Sequence, residues 1–236
     1  MAIDDLPLPV VNLLNVIGVP WPYINEDTVW QFAGLVGDFR QAVLTTHEDA
    51  TSSLTKISQA HKAASTEAMM SGWARLSETH VQEITDACTV LAGALDAAGD
   101  YIVAQKAVAI AELLGLAAAF VADQAAAFVT LGASEAALPL IEMAAEKLVQ
   151  SLEMDLQQYI AGQVIEAAAK PLLAKIADAL SGLDWSKSGA QAGKPAGFEV
   201  DPAAVYAQTA MLRGQAAAMR AQAAGLAQQV RGLKFS

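Results

Sequence analysis

Hydrophobic and polar positions along this 236-residue chain recur with a helical period over most of its length. The closing stretch, Ala204 to Leu233, shows it most plainly, with Val205, Leu212, Met219, Leu226 and Leu233 seven residues apart. A second row four residues on, Thr209, Ala216, Ala223 and Val230, widens the stripe into a coiled-coil-like seam for another helix. Between Asn25 and His61 the same spacing returns at Val36, Val43, Ala50 and Ile57, with Phe39 and Leu54 on that face. A further helix is predicted from Thr66 to about Ile102, carrying Trp73, Leu76, Ile84, Ala87, Leu91, Ala94 and Ala98. Two long amphipathic helices joined by a few residues predict an antiparallel hairpin.

The remaining pattern fills in around that hairpin. Leu6 to Gly18 predicts a short helix that caps a core. It leads into Gly18-Val-Pro-Trp-Pro-Tyr-Ile-Asn-Glu-Asp27, where Pro20 and Pro22 hold Trp21 in an extended segment. Trp21 reads as a plug over a hydrophobic groove, or as a residue presented to solvent. Asn25 is placed as an N-cap, with Glu26 and Asp27 at the positive end of the helix dipole. Tyr101 to Gly132 turns almost wholly apolar and is long enough to span a bilayer, yet contains Glu112 and Asp123. It reads as a buried central helix, or, over 107–129, as a membrane-inserting segment. Gly132 and Ser134 divide it from a helix that runs to about Leu180, with Glu142, Glu146, Glu153 and Asp155 outside and a kink expected at Pro171. Residues 182–197 shift to Gly, Ser, Lys and Ala and read as a linker, followed by Asp201 as N-cap and Pro202 at the first helical position. The domain reading is a helical bundle over 1–181, the linker, and a C-terminal helix over 198–236.

Composition sharpens the class. Apolar residues make up 54% of the chain but aromatics only 6%, because Ala supplies much of the count; that favours helix over sheet and predicts an all-α protein, an elongated bundle with an apolar central helix pair. The net charge of −11 argues against nucleic acid as the partner. From Glu199 to Ser236, however, two acids face four bases, Arg213, Arg220, Arg231 and Lys234, so the last helix is basic and has the charge to dock on an acidic body or an acidic partner. Arg213 and Arg220 join Val205, Leu212, Met219 and Leu226 as the partner-binding residues. The N-terminus has no basic n-region, which argues for a signal-peptide-independent route if the chain leaves the cytoplasm.

Catalytic, cofactor and metal motifs are not recognisable. Cys88 lies in an apolar stripe and reads as a core residue. His47 and His61 are roughly 21 Å apart along one helix, too far to share a metal. His47 falls about opposite His80, either as hydrogen-bonded seam histidines or as an acid-sensitive wedge. Gly72 within Ser71-Gly72-Trp73 costs about 1 kcal/mol in a helix, so either the first helix passes closely over it or the hairpin turns there. The expectation is a protein that is not an enzyme.

These features resemble a known family. Gly18-Val-Pro-Trp-Pro22 with Asn25-Glu-Asp27, the long hairpin, the Ala-rich apolar helices and the Gly/Ser boundary are similar to the WxG-like N-terminal helical domain of actinobacterial polymorphic toxins, type VII secretion effectors of the channel-plus-necrotising-toxin kind. The family's Trp-x-Gly turn, counted back from Trp73, falls on His61-Lys62-Ala63 here, and Tyr101 is followed by Gln105 where the export signal has an acid. Val200-Asp201-Pro202 is similar to the opening of the family's small helical proteins. The resemblance implies helix pairing with a small WxG-type protein or with a second copy, contact with the type VII machinery, and secretion or surface display without a signal peptide. The alternative it leaves is a membrane-active translocation or pore-forming domain of a secreted toxin.

Overall fold

The computed structural model describes residues 6–61, 64–130, 138–175 and 202–235. These form α1 (Leu8–Ile17), α2 (Glu26–Ala60), α3 (Ala64–Leu76), α4 (Gln82–Thr130), α5 (Leu138–Tyr159) and α6 (Pro202–Gly232). Two π-helical segments, Ser77–Val81 and Ile160–Ala169, interrupt the α-helical winding, and 170–175 is again α-helical. No β-strand element occurs among the described residues, and the fold is all-α. The chain forms two compact units, one of Met1–Gln31, Ala94–Ile165 and Lys234–Ser236, the other of Phe32–Gly93 and Glu166–Leu233.

The first unit is built on α4 and α5. Leu95, Ala98, Ile102, Ala109, Leu113 and Ala117 of α4 are buried at spacings of three, four and seven, as are Ile141, Ala145, Val149, Leu152 and Leu156 of α5. The Tyr101 and Tyr159 rings stack with centroids 4.0 Å apart, and Ala117 meets Ile141 in one apolar cluster, so the two helices run antiparallel. α1 closes that cluster with Leu13 and Ile17. Pro7 fits its start, where a backbone N–H is dispensable. Gly18 ends it with φ 72°, a left-handed conformation suited to glycine, and Val19 N–H donates to Leu14 O at 3.1 Å. The following Pro-Trp-Pro segment buries Trp21 to 5% exposure, the plug reading rather than the solvent-facing one. Its indole Nε1 has no hydrogen-bond partner among the described residues.

The second unit holds the hairpin. Val36, Val43, Ala50, Leu54 and Ile57 of α2 are buried, as are Ala87, Cys88 and Leu91 of α4. Burial pushes the Cys88 thiol up, opposed by the charge of Arg40, which leaves it a core residue with little thiolate. α2 ends at Ala60 and α3 begins at Ala64. Ser71, Gly72 and Trp73 are inside α3.

Two expectations differ from this structure. The helix after the hairpin turn is not uniform: one π-helical stretch, Ser77–Val81, separates α3 from α4. Pro171 is preceded by π-helical residues 160–169. Pro171 carries no N–H to donate, and the wider winding upstream accommodates its ring. The boundary at 132–134, the 182–197 stretch and the Asp201 cap lie outside the described residues.

Candidate helix-pairing interface

Among the described residues α6, from far along the sequence, is seated on the face of α2 that carries Thr46 and Ser53. In the second unit Gln222 Nε2 donates to Thr46 Oγ1 at 3.1 Å and Gln215 Nε2 to Ser53 Oγ at 3.4 Å. Thr46 and Ser53 are seven residues apart, as are Gln215 and Gln222, and the order reverses, so α6 lies antiparallel to α2. Thr46 and Ser53 are buried. Val205, Leu212, Met219, Leu226 and Leu233 are half-buried, as the heptad stripe predicts.

The second row of that stripe matches the sequence reading only at its ends. Thr209 and Val230 are half-buried, whereas Ala216 and Ala223 are exposed and Gln208, Gln215 and Gln222, three residues on rather than four, are half-buried. The hydroxyls on α2 explain this, since a carboxamide at that position finds a hydrogen-bond partner and an alanine would leave Thr46 and Ser53 to be satisfied otherwise. Arg213 and Arg220 are exposed, and no ion pair to either is seen among the described residues. Polar contacts in heptad register, not charge complementarity, are what the seam displays.

Beside this face lies a polar cluster within the hairpin. The Trp73 indole stacks on His47 at 5.2 Å with 9° between planes. Its Nε1 donates to Thr51 Oγ1 at 2.8 Å, and Thr51 Oγ1 donates to His47 O at 2.9 Å. His47 Nε2 lies 2.7 Å from Ser77 Oγ, at the first residue of the π-helical turn. His47 therefore meets Trp73 and Ser77 across the hairpin, and the seam-histidine reading holds for it. Burial holds His47 below the ordinary imidazole range, opposed by Glu48. The fold thus prefers neutral His47, whose contribution to stability is complete above about pH 6.5 and declines as pH falls toward the lower folded value. The urea midpoint should drop between pH 7.5 and 5.5, and the drop should be smaller in His47→Phe, which keeps the stack but cannot titrate; equal drops would refute this.

Gly72 and Trp73 thus have separate settings. A Cβ added at Gly72 would meet nothing within 4 Å, so among the described residues no helix passes closely over it. The close approach is at Gly99 instead, in the first unit, where an added Cβ would lie 2.7 Å from Cδ1 and Cε2 of Trp30. His61 follows α2, its N–H donating to Ile57 O at 2.9 Å, and Ala63 lies outside the described residues. Gly18, Pro20, Trp21 and Pro22 form the element that brings the chain from α1 to α2.

That element ends at a buried ion pair the sequence reading passed over. Lys106 sits at 0% exposure on α4, its Nζ donating to Glu26 Oε2 at 2.9 Å and to Ile24 O at 2.5 Å. Glu26 is also fully buried at the start of α2. Asn25 Oδ1 accepts from Thr28 N–H at 3.1 Å, the predicted N-cap. The chain's last residues reach the same turn: Asn25 N–H donates to Phe235 O at 2.9 Å and Thr28 Oγ1 to Lys234 O at 2.8 Å. The sequence signal was the single charge of Lys106 between Ile102 and Ile110.

Farther along α4 the apolar surface is not all covered. Ala109, Leu113 and Ala117 are buried, while Val108, Leu114 and Val121 are exposed by 54%, 38% and 63%, with Glu112 on the exposed side. The 82–125 stretch is long and apolar enough to cross a membrane, and 28% of its most apolar window is buried. Among the described residues no group of three or more His, Cys, Asp and Glu is placed to hold a metal ion.

A helical hairpin with its seam filled by small and aliphatic residues and further helices packed on it defines a helix-pairing class of protein. Residues 5–147 match the model of the WXG100-like domain, and the chain belongs to that family, whose members are helical proteins related to type VII secretion. No curated protein and no solved structure matches the chain.

Proposed function

We propose that this chain is a non-enzymatic targeting or partner module of a type VII secretion effector, working by helix-on-helix pairing with a small helical protein of the WxG type or with a second copy of itself. The observation that carries this reading is the WXG100-like match over 5–147, which contains the whole α2 to α4 hairpin. The heptad stripe of α6, Val205, Leu212, Met219 and Leu226 edged by Arg213 and Arg220, supplies the kind of surface such pairing uses. The polymorphic-toxin origin and the division at 182–197 belong to this proposal, as does export without a signal peptide, with the chain cytoplasmic beforehand. Co-expression with the small helical protein encoded beside it should give a complex of fixed stoichiometry by light scattering after size exclusion. A chain that elutes alone, at monomer mass, would overturn the reading.

The exposed Val108, Leu114 and Val121 favour one second reading, insertion of 107–129 into a bilayer. Mid-membrane carboxylates are costly, so Glu112 and Asp123 should make insertion acid-dependent. Leakage of anionic liposomes that does not rise between pH 7 and 4.5 would dismiss it.

A further inference from the structure

The seam between α6 and α2 is built differently from the other helix contacts of this protein. α5 buries five residues against its neighbours, whereas none of residues 203–235 is buried. The aliphatic stripe of α6 is only half-covered, and Gln208 Oε1 and Gln215 Oε1 are enclosed without a hydrogen-bond partner among the described residues. Enclosing a polar atom without a partner carries a desolvation penalty, so α6 occupies its place imperfectly. On the other side of the seam Thr46 and Ser53 are 8% and 4% exposed, a buried polar pair one heptad apart. The contacts at the chain end use backbone carbonyls of Lys234 and Phe235, which carry no sequence information.

From this we propose that the Thr46–Ser53 face of α2 is an exchangeable helix-docking groove. α6 is its resident occupant, and the partner helix replaces it. The occupant so defined is an amphipathic helix, antiparallel to α2, with an aliphatic heptad stripe and carboxamide side chains one heptad apart opposite Thr46 and Ser53. This rests on the helix-pairing reading above and adds its site and its regulation. α6 is covalently joined to the rest of the chain, so its seating in the groove is intramolecular and favoured over that of a free helix. A free helix of equal quality therefore competes poorly until the tether is cut or α6 is weakened.

The test needs no outside partner. A fluorescein-labelled peptide of residues 202–235 is titrated into three forms of the full chain: intact, cut at a protease site introduced within 182–197, and intact with Leu212→Asp and Met219→Asp. Fluorescence anisotropy should report binding at least about tenfold tighter to the cut chain and to the double variant than to the intact chain. Ser53→Leu in the cut chain should weaken the peptide, while far-ultraviolet circular dichroism confirms that its helix content is kept. Equal affinity for intact and cut chains, or no binding to the cut chain, would overturn the proposal. Either failure leaves the co-expression result untouched, because that experiment asks whether a partner exists and this one asks whether the groove exchanges its helix.

Discussion

Replacing Lys106 with Met should destabilise the protein by about 3–5 kcal/mol, the cost of removing one member of a buried ion pair. Met matches the length and volume of the lysine stem, so the loss is not a packing loss. What it removes is the ammonium that meets both the Glu26 carboxylate and Ile24 O, at positions where both side chains are fully buried. The helix dipole of α2 favours a negative Glu26 by at most about 2 kcal/mol and does not replace that contact. The decisive comparison is the double variant Lys106→Met with Glu26→Leu. With both charges gone no buried carboxylate is stranded, and most of the lost stability should return, since apolar replacement of a whole buried pair is often neutral or better. Urea midpoints for the wild type, both single variants and the double variant give the coupling directly. Additive losses would show that Lys106 and Glu26 do not stabilise one another.

That pair also marks what could be read from the sequence and what could not. The heptad stripe at Val36, Val43, Ala50 and Ile57 is buried as its spacing predicts, because amphipathic period alone chooses the face. The Asn25 cap was legible for the same reason, being a property of four consecutive residues. Glu26 and Lys106 are 80 residues apart, and no local pattern joins them; Glu26 looked like an ordinary acid at a helix start. The α6 seam failed halfway. Its aliphatic row was evident, but choosing between the rows three and four residues on required knowing that α2 offers Thr46 and Ser53 there. An apolar criterion prefers Ala216 and Ala223, and the fold uses Gln215 and Gln222. Arg213 and Arg220 are exposed, beside that seam rather than within it. At Pro171 the sequence reading expected a kink, and the described feature is a π-helical stretch over Ile160–Ala169 just before it. The family likeness was carried by the Gly-Val-Pro-Trp-Pro element and the hairpin, both within the matched 5–147.

The glycines of α4 give the second large effect, with controls in the same helix. Gly93 and Gly115 have nothing within 4 Å of an added Cβ, so Ala at either position should stabilise the protein by about 0.5–1 kcal/mol through helix propensity. Gly99 has the Trp30 indole there, with Cδ1 and Cε2 at 2.7 Å from the added carbon and Nε1 nearer still. The obstruction is a rigid bicyclic ring, not the free end of a flexible chain, so it must shift bodily or α2 and α4 must separate. Overpacking of that kind costs about 1–3 kcal/mol, enough to outweigh the propensity gain. Gly99→Ala should therefore destabilise while Gly93→Ala and Gly115→Ala stabilise, a reversal of sign that propensity alone does not produce. Removing the obstruction should reverse it: in a Trp30→Ala background, Gly99→Ala should become neutral or stabilising. If Gly99→Ala proves as stabilising as its two controls, Trp30 does not pack over Gly99, and the close crossing of α2 and α4 at that point is wrong.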